Sequence, residues 1–265
     1  MSLSSESPSA VGFLLPGVVA GLVTFGFSRL MIEPLVGAAV EYEGAREHEH
    51  GHELFSRAIQ ENVGAAVGVV AFAVVMGVLF AVAYTALSAV LDRRGVRRDP
   101  TALALLLSAG MFVAIALLPS LKYPANPPGV GLEDTVGARS SAFLTITVVS
   151  VVAAIAAVAA GLAWSRRWGG WRAAALAVGG YAAVMMVAVA LLPGFGEVPG
   201  PLTGPDGLVL GGFPAEVLAE FRMYSLGNQA LMWLVIGIVW GGLAALLRSR
   251  RRALPSDPPV ELQVR

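Results

Sequence analysis

The stretch VGAAVGVVAFAVVMGVLFAVAYTALSAVL, from Val63 to Leu91, holds no charged side chain. It is longer than the roughly 20 apolar residues a helix needs to cross the hydrocarbon core of a bilayer. It therefore reads as a membrane span. A segment spanning lipid on its own is helical, because its backbone polar groups must be satisfied within the segment.

Five further runs read the same way: 11–32, 101–118, 142–163, 173–192 and 229–247. Together with 63–91 they predict an all-α polytopic membrane bundle of six transmembrane helices. Composition agrees, with 56% hydrophobic and only 14% charged residues, where a soluble domain carries about 25% charged residues. The third and fifth runs reach Leu117-Leu118-Pro119 and Leu191-Leu192-Pro193. Proline lacks an N–H and is expected to stop both helices there. The chain has no cysteine, which excludes disulfides, thiolate metal sites and iron–sulfur clusters. No basic residue precedes the first apolar run, which argues against a cleaved signal peptide.

The zero net charge hides an asymmetry. Arg93, Arg94, Arg97 and Arg98 follow the second span, Arg166, Arg167 and Arg172 the fourth, and Arg248, Arg250, Arg251 and Arg252 the sixth. The loops on the other side hold thirteen of the eighteen acids. Arginine-rich loops face the cytoplasm, so both termini are expected inside a cytoplasmic membrane. The domain plan is a cytoplasmic tail 1–10, a transmembrane domain 11–247 with an outer loop 33–62, and a basic tail 248–265. The strings Val113–Pro119 and Val187–Pro193 resemble each other, and Arg57, Arg139 and Arg222 each precede a descending span. These features suggest three repeated helical hairpins, as transporters often contain. Gly17/Gly21, Gly64/Gly68 and Gly237/Gly241, each four apart, favour close helix packing.

The outer loop contains Glu47-His48-Glu49-His50-Gly51-His52-Glu53, with all three histidines of the chain. Imidazole and carboxylate together suit divalent transition metals, and a short His-rich tract is a metal signal rather than only a solvated loop. On an extended strand His48, His50 and His52 share one face. The tract also spells His48-Glu49-x-x-His52, the zinc-peptidase pattern, which requires a helix. Gly51 and the polar loop context speak against that helix. Arg29 and Glu33 lie one helical turn apart near the outer end of the first span, where ionisable groups are costly and often functional. Glu33 is the candidate to receive a cation below the tract. The segment Leu121-Lys122-Tyr123-Pro124-Ala125-Asn126-Pro127-Pro128-Gly129 is stiffened by proline and reads as a cap or entrance. Phe213 to Arg222 reads as a short amphipathic helix before the sixth span. The methionines are scattered and read as packing residues. No phosphate loop or nucleophile elbow occurs, and the arginines sit where orientation rather than nucleic acid explains them.

These residues carry a resemblance. Ile32-Glu33-Pro34, the His-Glu-His-Gly-His tract, Leu121 to Gly131, Asp134-Thr135-Val136-Gly137-Ala138-Arg139 and Phe213-Pro214-Ala215 with Phe221-Arg222 resemble the CbtA family of probable cobalt transporter subunits. The resemblance implies cobalt uptake linked to cobalamin synthesis. It also implies a small single-span, histidine-bearing partner, CbtB. The family is usually described with five spans, against the six read here.

The expected function is uptake of a divalent transition metal, Co²⁺ ahead of Ni²⁺ or Zn²⁺, by a non-enzymatic subunit without a prosthetic group, in lipid and as a homo-oligomer or with that partner. Glu47, His48, Glu49, His50, His52 and Glu53 would capture the ion, and Glu33, with Glu41 and Glu43, would pass it inward. Arg29, Lys122, Tyr123, Asn126, Arg139 and Arg222 would shape the path and outer vestibule. An accessory metal binder or sensor without flux is the alternative, and a membrane zinc peptidase a further one.

Overall fold

The structure, a computed structural model, describes residues 10–46, 64–203 and 209–253. Helix α1 (residues 10–46) consists of Ala10–Phe27, a π-helical turn Ser28–Ile32 and Glu33–Arg46. Helix α2 is Ala65–Arg93. Helix α3 is Pro100–Lys122, with a π-helical segment Phe112–Leu117 inside it. Helix α4 is Val136–Trp168, α5 is Gly170–Leu191 and α6 is Ala215–Ala253. Between α5 and α6, β1 (Leu202–Thr203) and β2 (Val209–Leu210) form a small antiparallel ribbon. Six helices are long and apolar enough to cross a membrane, so the expected six-span α-helical class holds.

The helices overrun the apolar runs, and the reason is local. The first helix does not end at Ile32-Glu33-Pro34, nor the third at Leu118-Pro119. Each passes its proline just after a π-helical segment. In that register Leu118 N–H bonds to Val113 C=O, so the next acceptor is Ala114 C=O, and Pro119 has no N–H to give it. The Ser150 hydroxyl of α4 donates to Ala114 C=O instead, at 2.6 Å. Neighbouring hydroxyls commonly repair proline defects in this way in membrane helices. The fifth run does stop before its proline, at Leu191. Similarly, Phe213–Arg222 is no separate helix, because α6 begins at Ala215 and runs unbroken through the sixth span. Of the expected outer loop 33–62, residues 33–46 are helical and 47–62 lie outside the described residues.

Packing is set by small residues. A Cβ on Gly17 would stand 2.7 Å from Ala73 O and Val74 Cα, and one on Gly77 would stand 2.7 Å from Gly17 Cα. The backbones of α1 and α2 therefore touch, antiparallel. Gly237 and Gly241 admit Ser108 and Thr101 of α3 against α6, and the Ser108 hydroxyl donates to Trp233 C=O. Gly68 meets nothing within 4 Å, so the expected Gly64/Gly68 packing pair does not close a contact at Gly68. Around these contacts Ala20, Ala73, Phe80, Ala104, Trp233, Ile236 and Trp240 form the buried core of α1, α2, α3 and α6. Helix α5 packs chiefly on α4, through contacts such as Gly161 with Ala177 and Ser150 with Tyr181. The three hairpins thus close unequally. The first packs along its length, whereas α6 packs on α1 and α3 rather than on α5.

Gly17→Ala is expected to destabilise the protein by about 1–3 kcal/mol, the cost of overpacking a tight contact. Gly26→Ala on the same helix faces open space and is expected to leave stability unchanged or raise it by up to about 1 kcal/mol. Denaturant titration in detergent micelles measures both.

Candidate functional site

The antiparallel helices place Arg93, Arg94, Arg97, Arg98, Arg166, Arg167 and Arg172 at one end of the bundle. The acidic loops and the continuation of α1 occupy the other end. There the chain builds a cap on α1. Ala39 is buried against Val130, Phe213 and Leu218. Tyr42 lies edge-on to Phe213, with ring centroids 5.0 Å apart, and its hydroxyl donates to Gly211 C=O at 3.3 Å. Gly129, at φ +73°, passes beside Ala39 and Glu43, where an added Cβ would already touch Glu43 Cβ at 3.4 Å. The loop after α3 and the loop before α6 therefore both rest on the part of α1 that continues beyond Pro34.

Polar contacts tie these loops together. Arg222 of α6 donates to Asn126 Oδ1 at 2.8 Å. The Tyr123 hydroxyl donates to Pro193 C=O at 2.6 Å, and its ring lies 5.9 Å from that of Phe195. Burial raises the Tyr123 phenol above its ordinary pKa, so it remains a donor. Lys122 Nζ stands 5.9 Å from the Tyr123 ring centroid, at the outer edge of cation–π range.

Arg139, near the start of α4, is the centre of a second knot. Its guanidinium donates to Leu132 C=O at 3.2 Å and pairs with Glu197 at 3.5 Å. Gly131 sits at φ +113°, and a Cβ there would collide with that guanidinium. Glu197 accepts from Leu132 N–H at 3.0 Å and Thr135 Oγ1 at 2.7 Å. These two hydrogen bonds, then Arg139, hold its carboxyl below the ordinary pKa. Sequence reading missed Glu197. Its only signal was a single acid within the Pro/Gly-rich stretch Pro193 to Pro201, and nothing local predicts its arginine 58 residues away in the chain.

The structure brings Lys122, Tyr123, Asn126, Arg139 and Arg222 into the cap. Arg29 and Glu33 pair at 4.0 Å on α1, with Glu33 the less exposed partner. Glu41 is exposed and Glu43 half-buried on the same helix. Glu47, His48, Glu49, His50, His52 and Glu53 lie outside the described residues. Among the described residues, no three His, Cys, Asp or Glu side chains group closely enough to hold a metal ion. What remains at this end is an acid-rich rim, held by neutral and cationic contacts, directly before the tract in sequence.

Compared with known proteins, residues 11–245 match the family described as probable cobalt transporter subunit (CbtA). No curated protein and no solved structure matches the chain.

The folded Glu197 carboxyl titrates below its unfolded value, so its stabilisation is complete above about pH 4.3 and is lost as pH falls through the lowered value. The Tm difference between wild type and Glu197→Gln should be full at about pH 6 and shrink in acid, as read by thermal unfolding in detergent over a pH series.

Proposed function

We propose, because this chain belongs to the CbtA family of probable cobalt transporter subunits, that it is the membrane-embedded subunit of an uptake system for a divalent transition metal, cobalt first. The family match, which runs from the first span to the last, is the observation that carries the reading. The helical architecture supports it, since the six apolar helices are those of an integral membrane protein.

In this reading the His/Glu tract faces outward and captures the ion. Neutral imidazoles and carboxylates bind divalent transition metals. The acidic end concentrates cations by its field. Glu43, Glu41 and Glu33 descend along α1 from the tract toward the bundle, and the cap residues Tyr123, Asn126, Arg139 and Arg222 hold the walls of the entrance. The arginine end faces the cytoplasm, by the positive-inside rule. The word subunit in the family description supports a complex, and a small histidine-bearing single-span protein is the partner we propose. The ligand set binds nickel and zinc as well as cobalt, and the Irving–Williams order does not favour cobalt by affinity. Selectivity then belongs to geometry and to the partner.

Cells expressing the complete transporter should accumulate labelled Co²⁺, and His48→Ala/His50→Ala/His52→Ala should lower that uptake by about tenfold at limiting metal, the order expected on losing metal-site ligation. Uptake should also weaken as pH falls through about 6.5, where imidazoles protonate. Parallel assays with Ni²⁺ and Zn²⁺ rank the substrates. Metal binding with no accumulation would make the protein an accessory binder instead.

A further inference from the structure

A cavity of about 180 Å³ lies between α1, α2 and α6, lined by Thr24, Gly68, Phe72, Asn228, Gln229 and Met232. It lies just outward of the α1–α2 contacts of Gly17 with Gly77 and Gly21 with Val70, and Gly68, two residues before Val70, faces open space. Thr24 sits nine residues before Glu33 on α1, roughly 13 Å along the helix axis, so the cavity lies within the spanning bundle. Just outward of it, Phe27 and Tyr224 meet edge to face at 6.3 Å. Inward of it the core is closed by Ala20, Ala73, Trp233 and Ile236.

The polar side chains of the lining, Thr24, Asn228 and Gln229, each carry an oxygen donor, and the two carboxamides an NH₂ as well. The Thr24 hydroxyl spends its proton on its own helix, bonding Ala20 C=O at 2.8 Å and Gly21 C=O at 3.2 Å, and so offers the cavity lone pairs. Asn228 Oδ1 is buried with no hydrogen-bond partner among the described residues. An unmatched carbonyl at membrane depth is costly, and such polar groups in spanning helices mark ion or substrate routes. Gln229 adds a second carboxamide, and the lining contains no charged residue. Uncharged oxygen donors replace part of a hydration shell without trapping the ion, as conduction requires. The space also has room for several waters.

We infer that this cavity is an intramembrane station for a partly hydrated divalent cation, held by Asn228, Gln229 and Thr24 beneath the Phe27–Tyr224 pair. The inference deepens the transport reading and rests on it for the choice of Co²⁺ as probe. A water molecule alone on Asn228 is the competing occupant.

The test uses the full-length chain carrying His48→Ala/His50→Ala/His52→Ala, so that the tract does not mask a second site. Equilibrium dialysis in detergent should find residual Co²⁺ binding, weakened at least tenfold by Asn228→Leu or Thr24→Val and tightened about tenfold by Asn228→Asp. The Asp and Val variants keep the side-chain volume, so the test does not depend on Asn228→Leu folding. No residual binding, or binding that ignores all three changes, overturns the site and leaves water as the occupant. Uptake assays of Asn228→Leu and Asn228→Asp in cells with intact histidines separate the two readings. If the parent chain imports Co²⁺ and neither variant alters uptake, the station fails and transport stands. If the parent imports nothing but the purified chain shows the expected binding pattern, transport fails and the site stands.

Discussion

The backbone contact between Gly17 and Gly77 is the constraint on which the rest of the molecule depends. It draws α1 against α2 without any intervening side chain, and α6 packs on both, with Trp240 against Phe13 of α1 and Phe80 and Tyr84 of α2. Between lipid tails no hydrophobic force drives apolar helices together, so close packing of small residues has to do so. The contact extends one turn outward along α1, where Gly21 meets Val70. Outward of it lie the cavity at Thr24 and Asn228 and then the outer part of α1, which continues as a post for the cap.

That post requires α1 to run through Pro34, as α3 runs through Pro119. Both helices do so by loosening into π register first. In α3 the acceptor left over by proline is Ala114 C=O, and Ser150 of α4 supplies its donor. A backbone defect is thus converted into a contact between helices. It fastens α4, and through Tyr181 also α5, to a core they otherwise touch sparingly. π-Helical turns recur at functional sites, and the one in α1 begins four residues after Thr24 of the cavity.

The two ends of the bundle are chemically unlike. One is arginine-rich, with contacts such as Arg98 to Asp92 at 2.6 Å. The other is acidic, yet its folded cap is held by Arg139, Arg222, Tyr123 and buried apolar side chains. Of the acids there, Glu197 is tied into the cap by hydrogen bonds, and Glu33 pairs with Arg29 on its own helix. Glu41 and Glu43 rise along α1 toward the tract. Acidic surfaces of this kind raise the local concentration of cations.

The class of fold was legible at once, because apolar length is a property of consecutive residues and lipid admits few structures. Charge asymmetry, the His/Glu tract and the stiff Lys122–Gly129 segment were legible for the same reason. Helix ends were not, since whether Pro34 and Pro119 stop a helix depends on a π turn and on Ser150, which is 31 residues beyond the second proline. The Gly64/Gly68 pattern matched the Gly17/Gly21 pattern in spacing, yet Gly68 lines a cavity while Gly17 makes a contact. The Arg139–Glu197 pair and the meeting of Thr24 with Asn228 were also out of reach, since each joins residues far apart in the chain. The chain itself therefore determined six spans, their charge polarity and the place of a His/Glu tract, all written in local composition. Only the tertiary structure decided which glycines touch, where the helices end and which polar groups share a cavity, because those depend on which helix lies opposite.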